Sequence, residues 1–411
     1  TPNIDKLAAD GVKLERFYSC PMCSPTRAGF MTGRWPLRFG MMRAVIPPWS
    51  DYGLPGSETT LPELLATAGY ERRAIIGKWH LGHARHAHHP LEHGFTYFYG
   101  HYNGAIDYFT HERDGEVDWH RNRETVKEEG YSTDLLAADA AKFIAESPKD
   151  KPYFLYVPFN APHSPFQAKP EDLAKYPDRK GKKKTLAAMI DCLDQGVGKI
   201  LAAIDERGDA DRTFVLFFSD NGGVDGVSDN SPLRGAKLTP YEGGIRVVAC
   251  ARYPNGNMIG GKMIQERMGY IDLLPTICQL AGAEIPESLT LDGIDVAAAM
   301  AGAEKLPDRA WCTYEAQKNN LERSYAAQTN DWKLVVKGPA LFSTDPSQVK
   351  VEVYHLSEDP KETKHVLERA VQFAGPLMQK LNEFTLLNQE GVTPYGEGRE
   401  GFKAPQDWRI E

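Results

Sequence analysis

Short, continuous apolar runs alternate along the chain with longer stretches in which apolar positions recur every three or four residues. Arg72 to Ile76, Tyr153 to Pro158 and Thr213 to Phe218 are rich in β-formers, the composition of strands covered on both faces. Helical patterns separate them. Asn3 to Asp10 ends at Gly11, Leu61 to Ala68 starts behind Thr60 and closes at Gly69, Ser132-Thr133 caps a pattern reaching Glu146, and Thr185 to Arg207 stops at Gly208. This alternation predicts βαβ units and an α/β fold on a mostly parallel sheet.

Beyond Trp311 the texture changes. Asp331 to Val336 and Val351 to His355 read as short strands, Glu358-Asp359-Pro360 as a turn and His365 to Phe384 as a helix. The expected organisation is a large α/β domain over residues 1–310 and a smaller α+β subdomain over 311–411. The Gly- and Pro-rich tail from Asn388 is expected to be irregular and to wrap back over the large domain. There are no internal repeats and no low-complexity tracts.

Composition narrows the function classes. The 411 residues are 41% hydrophobic and 25% charged, which excludes disorder as the main state. A net charge of −8, with no basic run beyond Arg179 to Lys184, argues against a nucleic acid or an anionic membrane as partner. An anionic ligand would need a local pocket of cations. The longest apolar stretches, such as Phe214 to Phe218, are strand-length, so no membrane insertion is expected. Six scattered cysteines do not make a disulfide framework, and most are expected to be buried thiols. The first residue is Thr1 and Pro2 reads as a first-turn proline, so a truncated or processed chain is expected.

Each buried run ends in polar residues: Gly77-Lys78-Trp79-His80, Asn160-Ala161-Pro162-His163 and Ser219-Asp220-Asn221-Gly222-Gly223. Ligands of open α/β sheets bind beyond the carboxyl ends of the strands, so the three clusters are expected to converge. The densest motif is Cys20-Pro-Met-Cys23-Ser-Pro25-Thr-Arg27-Ala-Gly-Phe-Met-Thr32-Gly33-Arg34. Its single C-x-x-C could be a redox pair or half a zinc site, but it has no second C-x-x-C.

This motif resembles the signature of the type I sulfatases, C-x-P-x-R followed by T-G, which directs oxidation of the cysteine to formylglycine. Cys23, Pro25, Arg27, Thr32 and Gly33 carry the match. The resemblance covers nearly the whole chain. It continues through Gly77 to Gly82, Gly94-Phe95 to Asp107-Tyr108, Ser219 to Gly223, Leu233-Arg234-Gly235 with Lys237, Glu242-Gly243-Gly244 and Tyr354 to His365, and it is most similar to the arylsulfatase B branch. It implies an alkaline-phosphatase-like fold, a formylglycine-generating maturation enzyme as partner and export from the cytoplasm. The implied substrate is a sulfated carbohydrate, with galactose or N-acetylgalactosamine 4-sulfate first and aryl sulfates as surrogates.

Sulfate ester cleavage depends on positioning and on cations placed where charge develops, as in phosphoryl transfer. A thiol would be left as a stable adduct, whereas an aldehyde hydrate offers one hydroxyl to attack sulfur and a second to expel sulfate. The resemblance implies that residue 23 is the nucleophile, held by Arg27 and Lys78. His80 is the implied base, His163 the acid near the leaving oxygen, and Lys237 the grip on sulfate oxygens with a share in that acid role. Asp220 and Asn221, with residue 23, would ligate a divalent cation, calcium with magnesium as the alternative. An all-oxygen set suits these ions, while related phosphatases place His after this Asp to hold zinc.

The family's two other metal carboxylates lie in an Asp-Asp pair after a strand upstream of the first helix, and Asp5 and Asp10 are poor substitutes. A missing N-terminal strand is the expected explanation. The rivals are a formylglycine-dependent phosphonate or phosphodiester hydrolase and an inactive sulfatase-fold protein that binds sulfated glycans. The histidines His83, His86, His88, His89 and His93 fit no structural zinc motif. With Tyr97, Tyr99, Tyr102, Tyr108 and Trp119 they are expected to line a carbohydrate subsite.

Overall fold

The computed structural model describes residues 1–317, 322–341 and 345–410. Three parallel strands, Arg72–Lys78, Tyr97–His101 and Tyr153–Tyr156, form one side of a five-stranded sheet, with Tyr153–Tyr156 at its edge. Arg72–Lys78 lies between the other two, with Lys78 opposite His101 and Ala74 opposite Leu155. The short antiparallel pieces His120–Arg121 and Glu124–Thr125 extend the Tyr97 edge.

The strand Val215–Phe218 belongs to a second sheet, paired antiparallel with Ala249–Arg252, which in turn pairs with Val12–Leu14. The α/β architecture is therefore mixed, with parallel strands at its centre rather than throughout. Alternation along Arg72–Lys78 explains the two-sided core. Ala74 and Ile76 face Leu136, Ala140 and Phe143 of the helix Ser132–Ala145, and Ile75 faces a core shared with Phe30, Leu61, Leu64 and Leu273. The predicted helices all form, with shifted ends. The long one begins at Gly181, and Tyr131 rather than Ser132 or Thr133 takes the cap position, because the Ser132 hydroxyl is engaged with Asn160. At Leu61–Thr67, Glu63 closes a capping box on the Thr60 backbone amide at 2.7 Å.

Tyr153–Tyr156 and Val215–Phe218 each keep one edge without a strand partner among the described residues. Between them runs a cavity of about 910 Å³ lined by Leu7, Phe30, Phe154, Leu216, Phe218 and Ile277. Their apolar side chains are only partly buried, although the composition is that of interior strands. The cavity opens onto Lys78, His163, Asp220, Asn221 and Lys237.

The C-terminal sheet is antiparallel, Trp311–Glu315, Arg323–Gln328, Trp332–Gly338 and Lys350–His355 in sequential order. The helix Val371–Thr385 covers it through Leu377, Leu381 and Phe384, which meet Leu334, Val336 and Val353. The segment after this helix returns to the large domain, where Gln389 N–H donates to Leu37 O at 3.1 Å and Val392 N–H to Gly40 O at 2.9 Å. Among the described residues no helix is long and apolar enough to cross a membrane.

Candidate active site

Cys23 is the first residue of the helix Cys23–Thr32 and is 2% exposed. The signature has a local structural logic. Pro25 sits in the first turn, where its missing N–H costs nothing. Gly33 closes the helix at φ 65°, a left-handed conformation that glycine adopts without strain, and its carbonyl receives the N–H groups of Asp292 and Gly293. Ser24 Oγ accepts from Ile46 N at 3.1 Å, which ties the start of the helix to the 44–49 segment.

One turn after Cys23, the Arg27 guanidinium reaches Asp220 Oδ2 through Nη2 at 2.7 Å and Nε at 3.0 Å, and donates to the Lys78 carbonyl at 2.8 Å. Thr26 Oγ1 donates to the Asp220 backbone carbonyl at 2.7 Å. One arginine thus joins the helix, the Lys78 strand end and the Asp220 strand end. Lys237 stands on the neighbouring loop, where its N–H donates to Gly223 O at 2.9 Å.

Three cations therefore surround a cysteine that has a single carboxylate close by. Burial would raise the Cys23 thiol, but Lys78, Lys237 and Arg27 together bring it below its ordinary value. Cys20 is the control. Three residues away, without those charges, burial pushes its thiol up to about 12 while Sγ meets Tyr270 OH at 3.1 Å. All six cysteines are free, so the C-x-x-C is not a disulfide. Burial, followed by Arg27 and Lys237, brings Lys78 down to about 8 against the opposing pull of Cys23 and Asp220. Burial would also raise Asp220, but Arg27, Lys78 and Lys237 hold it well below the usual carboxylate range.

His80 follows Lys78 on the same strand end, at φ 56°, a rare backbone conformation for this residue type. Its Nε2 faces the Ile46 carbonyl at 2.9 Å. A carbonyl only accepts, so Nε2 carries the proton and Nδ1 holds the lone pair. Nδ1 is buried and has no partner among the described residues. His163 uses the opposite tautomer: Nδ1 donates to Ser164 O at 2.8 Å, which leaves Nε2 as the lone pair. Burial first, then lysine charge, keeps both rings well below their ordinary pKa. Lys78 acts on His80, and Lys237 and Lys78 on His163.

Asn221 Nδ2 donates to Gly222 O at 2.8 Å, while its Oδ1 is buried without a partner among the described residues. An unpaired buried carbonyl oxygen beside a carboxylate suits a hard divalent cation. Asp220 and Asn221 thus fit calcium or magnesium as part of a shell. No group of three or more His, Cys, Asp or Glu that could hold a metal occurs among the described residues.

The predicted carbohydrate subsite does not form. Tyr99, Tyr102, Tyr108 and Trp119 are fully buried, and His83, His88, His89 and His93 are buried with them. His83 Nε2 is satisfied by Pro48 O and His89 Nε2 by Asn122 O, so these side chains pack the loop rather than face a ligand. His86 is exposed, 3.7 Å from Glu92. Sequence reading missed the supports of His80. Asp118 accepts from the N–H groups of Tyr102 and Asn103 at 2.9 and 2.8 Å, and Tyr102 O in turn accepts from His80 N. Gly104 lies against the imidazole, where an added Cβ would sit 2.4 Å from its Cε1. Only the long-range fold brings these groups to His80, and no local motif announces them.

With this geometry in place, the family assignment is direct. The family described as Sulfatase matches residues 1–283, and the family described as N-sulphoglucosamine sulphohydrolase, C-terminal, matches residues 236–386. The chain belongs to the sulfatase family, enzymes that hydrolyse sulfate esters. Among its relatives, arylsulfatase J of Mus musculus is 29% identical over 93% of this chain and 71% of its own length. N-acetylgalactosamine-6-sulfatase of Mus musculus is 32% identical over 88% and 76%. The crystal structure of Ps i-CgsB in complex with k-i-k-neocarrahexaose superposes with a TM-score of 0.87 at 29% identity, covering 98% of this chain and 90% of that one. These names come from several branches, and the arylsulfatase B branch is not singled out.

Proposed function

We propose that this sulfatase removes sulfate from a galactose or N-acetylgalactosamine unit of a sulfated glycan, through a formylglycine made from Cys23 by a maturation enzyme and with one divalent cation. The observation that carries the reading is the convergence of Arg27, Lys78 and Lys237 on buried Cys23, in a protein of net charge −8. The 4-sulfate is the first substrate, and the 6-sulfate is the rival raised by the relatives' names. A neighbour solved with a carrageenan fragment supports a galactose-based chain. An exported enzyme suits such a substrate.

Formylglycine supplies a hydrated aldehyde whose two hydroxyls serve attack and release. The chain's own residues do the rest. Arg27 holds Asp220 and the Lys78 carbonyl, and so fixes the position of the cations. Lys78 and Lys237 offset sulfate charge in a site where burial strengthens every charge–charge interaction. His80, neutral and with Nδ1 free, takes a proton from residue 23. His163 presents Nε2 to the leaving oxygen. Burial and then lysine charge keep this ring neutral, and a bound sulfate would offset part of the lysine charge and so favour its protonated form. Asp220 and Asn221 would hold calcium or magnesium.

The test has two parts. Mass spectrometry of the tryptic peptide Phe17 to Arg27 should find an aldehyde at position 23 in protein from its native host. The same protein should hydrolyse 4-nitrophenyl sulfate and, faster, one member of a panel of neocarrahexaose and N-acetylgalactosamine 4- and 6-sulfates. An unmodified thiol in inactive protein, or a preference for a matched aryl phosphodiester, would overturn the reading.

A further inference from the structure

The C-terminal segment does more than cover the large domain. The family matches end at residue 386, yet the chain continues and brings Tyr395 to the neighbourhood of Cys23. Two hydrogen bonds set its course: Tyr395 N–H donates to Gln317 O at 3.0 Å, and Gln317 Oε1 accepts from Val45 N at 2.9 Å. Val45 adjoins Ile46, the residue that fixes the His80 tautomer. Tyr395 is therefore linked through Gln317 to the segment that supports the proposed base.

Met22, Cys23 and Val45 form a small buried apolar cluster, and two partly exposed side chains, Leu238 and Tyr395, pack against it. Leu238 is anchored by its N–H to Pro21 O at 2.9 Å, one residue after Lys237. The cluster that holds residue 23 is thus flanked by the apolar side chains of Leu238 and Tyr395, while Arg27, Lys78 and Lys237 supply the charge around the residue itself. These charges match sulfate. They offer nothing to the ring that carries the sulfate.

The Tyr395 ring is held at both ends. Its hydroxyl accepts from Arg113 Nη2 at 3.1 Å, and its face meets Trp49 edge-on with centroids 5.0 Å apart and an interplanar angle of 66°. Trp49 is itself braced by Phe402 at 6.2 Å, by the Arg399 guanidinium at 5.4 Å from its ring and by a hydrogen bond from Nε1 to Glu397 O. An aromatic ring fixed this firmly but left partly exposed loses little further entropy on binding, which suits it to meet the C–H face of a sugar. We infer that Tyr395, delivered by the segment beyond the family-matched region, packs on the sugar whose sulfate lies at residue 23, and so sets which sulfated glycan is accepted. This rests on Cys23 marking the reacting position.

The test compares Tyr395→Ala and Tyr395→Phe with the wild type on the panel sugar it prefers and on 4-nitrophenyl sulfate. Sugar binding to unconverted Cys23→Ala protein is followed in parallel by tryptophan fluorescence, with Trp49 beside the ring as reporter. Tyr395→Ala should raise KM and the dissociation constant for the sugar about three- to tenfold, the worth of one aromatic contact, with kcat within about twofold. The loss on the sugar should exceed that on 4-nitrophenyl sulfate, and Tyr395→Phe should retain most of the affinity. Equal losses on both substrates, or sugar binding within twofold of wild type, would overturn the assignment. Tyr395-dependent sugar binding in a protein that turns over no sulfate would sink the proposed reaction and keep Tyr395. Protein that neither binds nor hydrolyses any panel sugar overturns both.

Discussion

Among the described residues two lysines are buried almost completely, and they serve opposite ends. Lys333, 0% exposed, lies between Glu242 and Glu362 at 3.0 Å from each, where the C-terminal sheet meets the large domain. Glu242 is satisfied again by Tyr18 OH at 2.8 Å. Lys78, 2% exposed, has no ion-pair partner among the described residues, and Arg27 and Lys237 stand near it as well as Cys23 and Asp220. The first lysine is compensated and joins two parts of the fold. The second has no ion pair, and Cys23 and Asp220 offset its burial and its cationic neighbours only in part, at a cost in stability that suits the anion-binding role proposed for it. A buried charge by itself is therefore no mark of function, and the sign of its surroundings is what separates the two cases.

The comparison breaks most sharply at Lys333. Lys333→Met leaves two buried carboxylates facing each other and should cost about 3–5 kcal/mol in urea denaturation, with kcat of the folded fraction unchanged. A loss below 1 kcal/mol would mean that the pair is not what joins the sheet to the large domain. Lys78→Met should do the reverse and lower kcat/KM roughly 10²- to 10³-fold, the scale of removing one stabiliser of developing charge. Its stability at neutral pH should rise, because a native pKa of about 8 against 10.5 for the unfolded chain means that the unfolded state holds more protons between those values. The cost of the charge is complete below pH 8 and is relieved as pH climbs to 10.5. The stability advantage of the variant, about 3 kcal/mol at most, should shrink over that window, while wild-type kcat/KM falls above pH 8. A variant less stable than wild type at pH 7 would refute the account of Lys78.

Smaller effects sharpen the picture at His80. Gly104→Ala places a methyl group 2.4 Å from the imidazole Cε1 and should lower kcat about 10- to 100-fold by displacing the ring, with KM little changed. Activity within twofold of wild type would show that the loop yields instead. The smallest effect belongs to His86, whose side chain is 59% exposed. His86→Ala should leave stability within about 0.5 kcal/mol and turnover of the preferred sugar unchanged. A clear rise in KM would restore the histidine loop as a sugar subsite.

Much of this molecule is legible in its pattern of residues. The apolar runs, the period of the helices and the polar residues after each strand all carry local information. Local rules therefore recover the α/β core and the convergence of Lys78, His163 and Asp220 at one mouth. The motif around Cys23 is readable for the same reason, since Pro25 and Gly33 do conformational work within one helix. The failed expectation is instructive. The tyrosines and histidines between His83 and His120 look like a ligand surface because each is amphipathic, and a sequence does not say which face of a strand a helix will cover. The helix Ser132–Ala145 covers Tyr99, and the His89 ring packs on Phe98 and Tyr102, so most of the set becomes core while His86 stays exposed.

The sequence by itself determined the class of chemistry: a cysteine, an arginine, two lysines and an Asp-Asn pair at strand and helix ends, in an acidic chain that must hold its anion locally. The tertiary structure alone decided which nitrogen of each histidine is free, that Lys333 has ion-pair partners while Lys78 has none among the described residues, and that the segment beyond 386 packs against the cluster of Met22, Cys23 and Val45. These depend on contacts between residues far apart in the chain. Protonation and charge balance follow from what surrounds a group after folding, and nothing in its sequence neighbours specifies that surrounding.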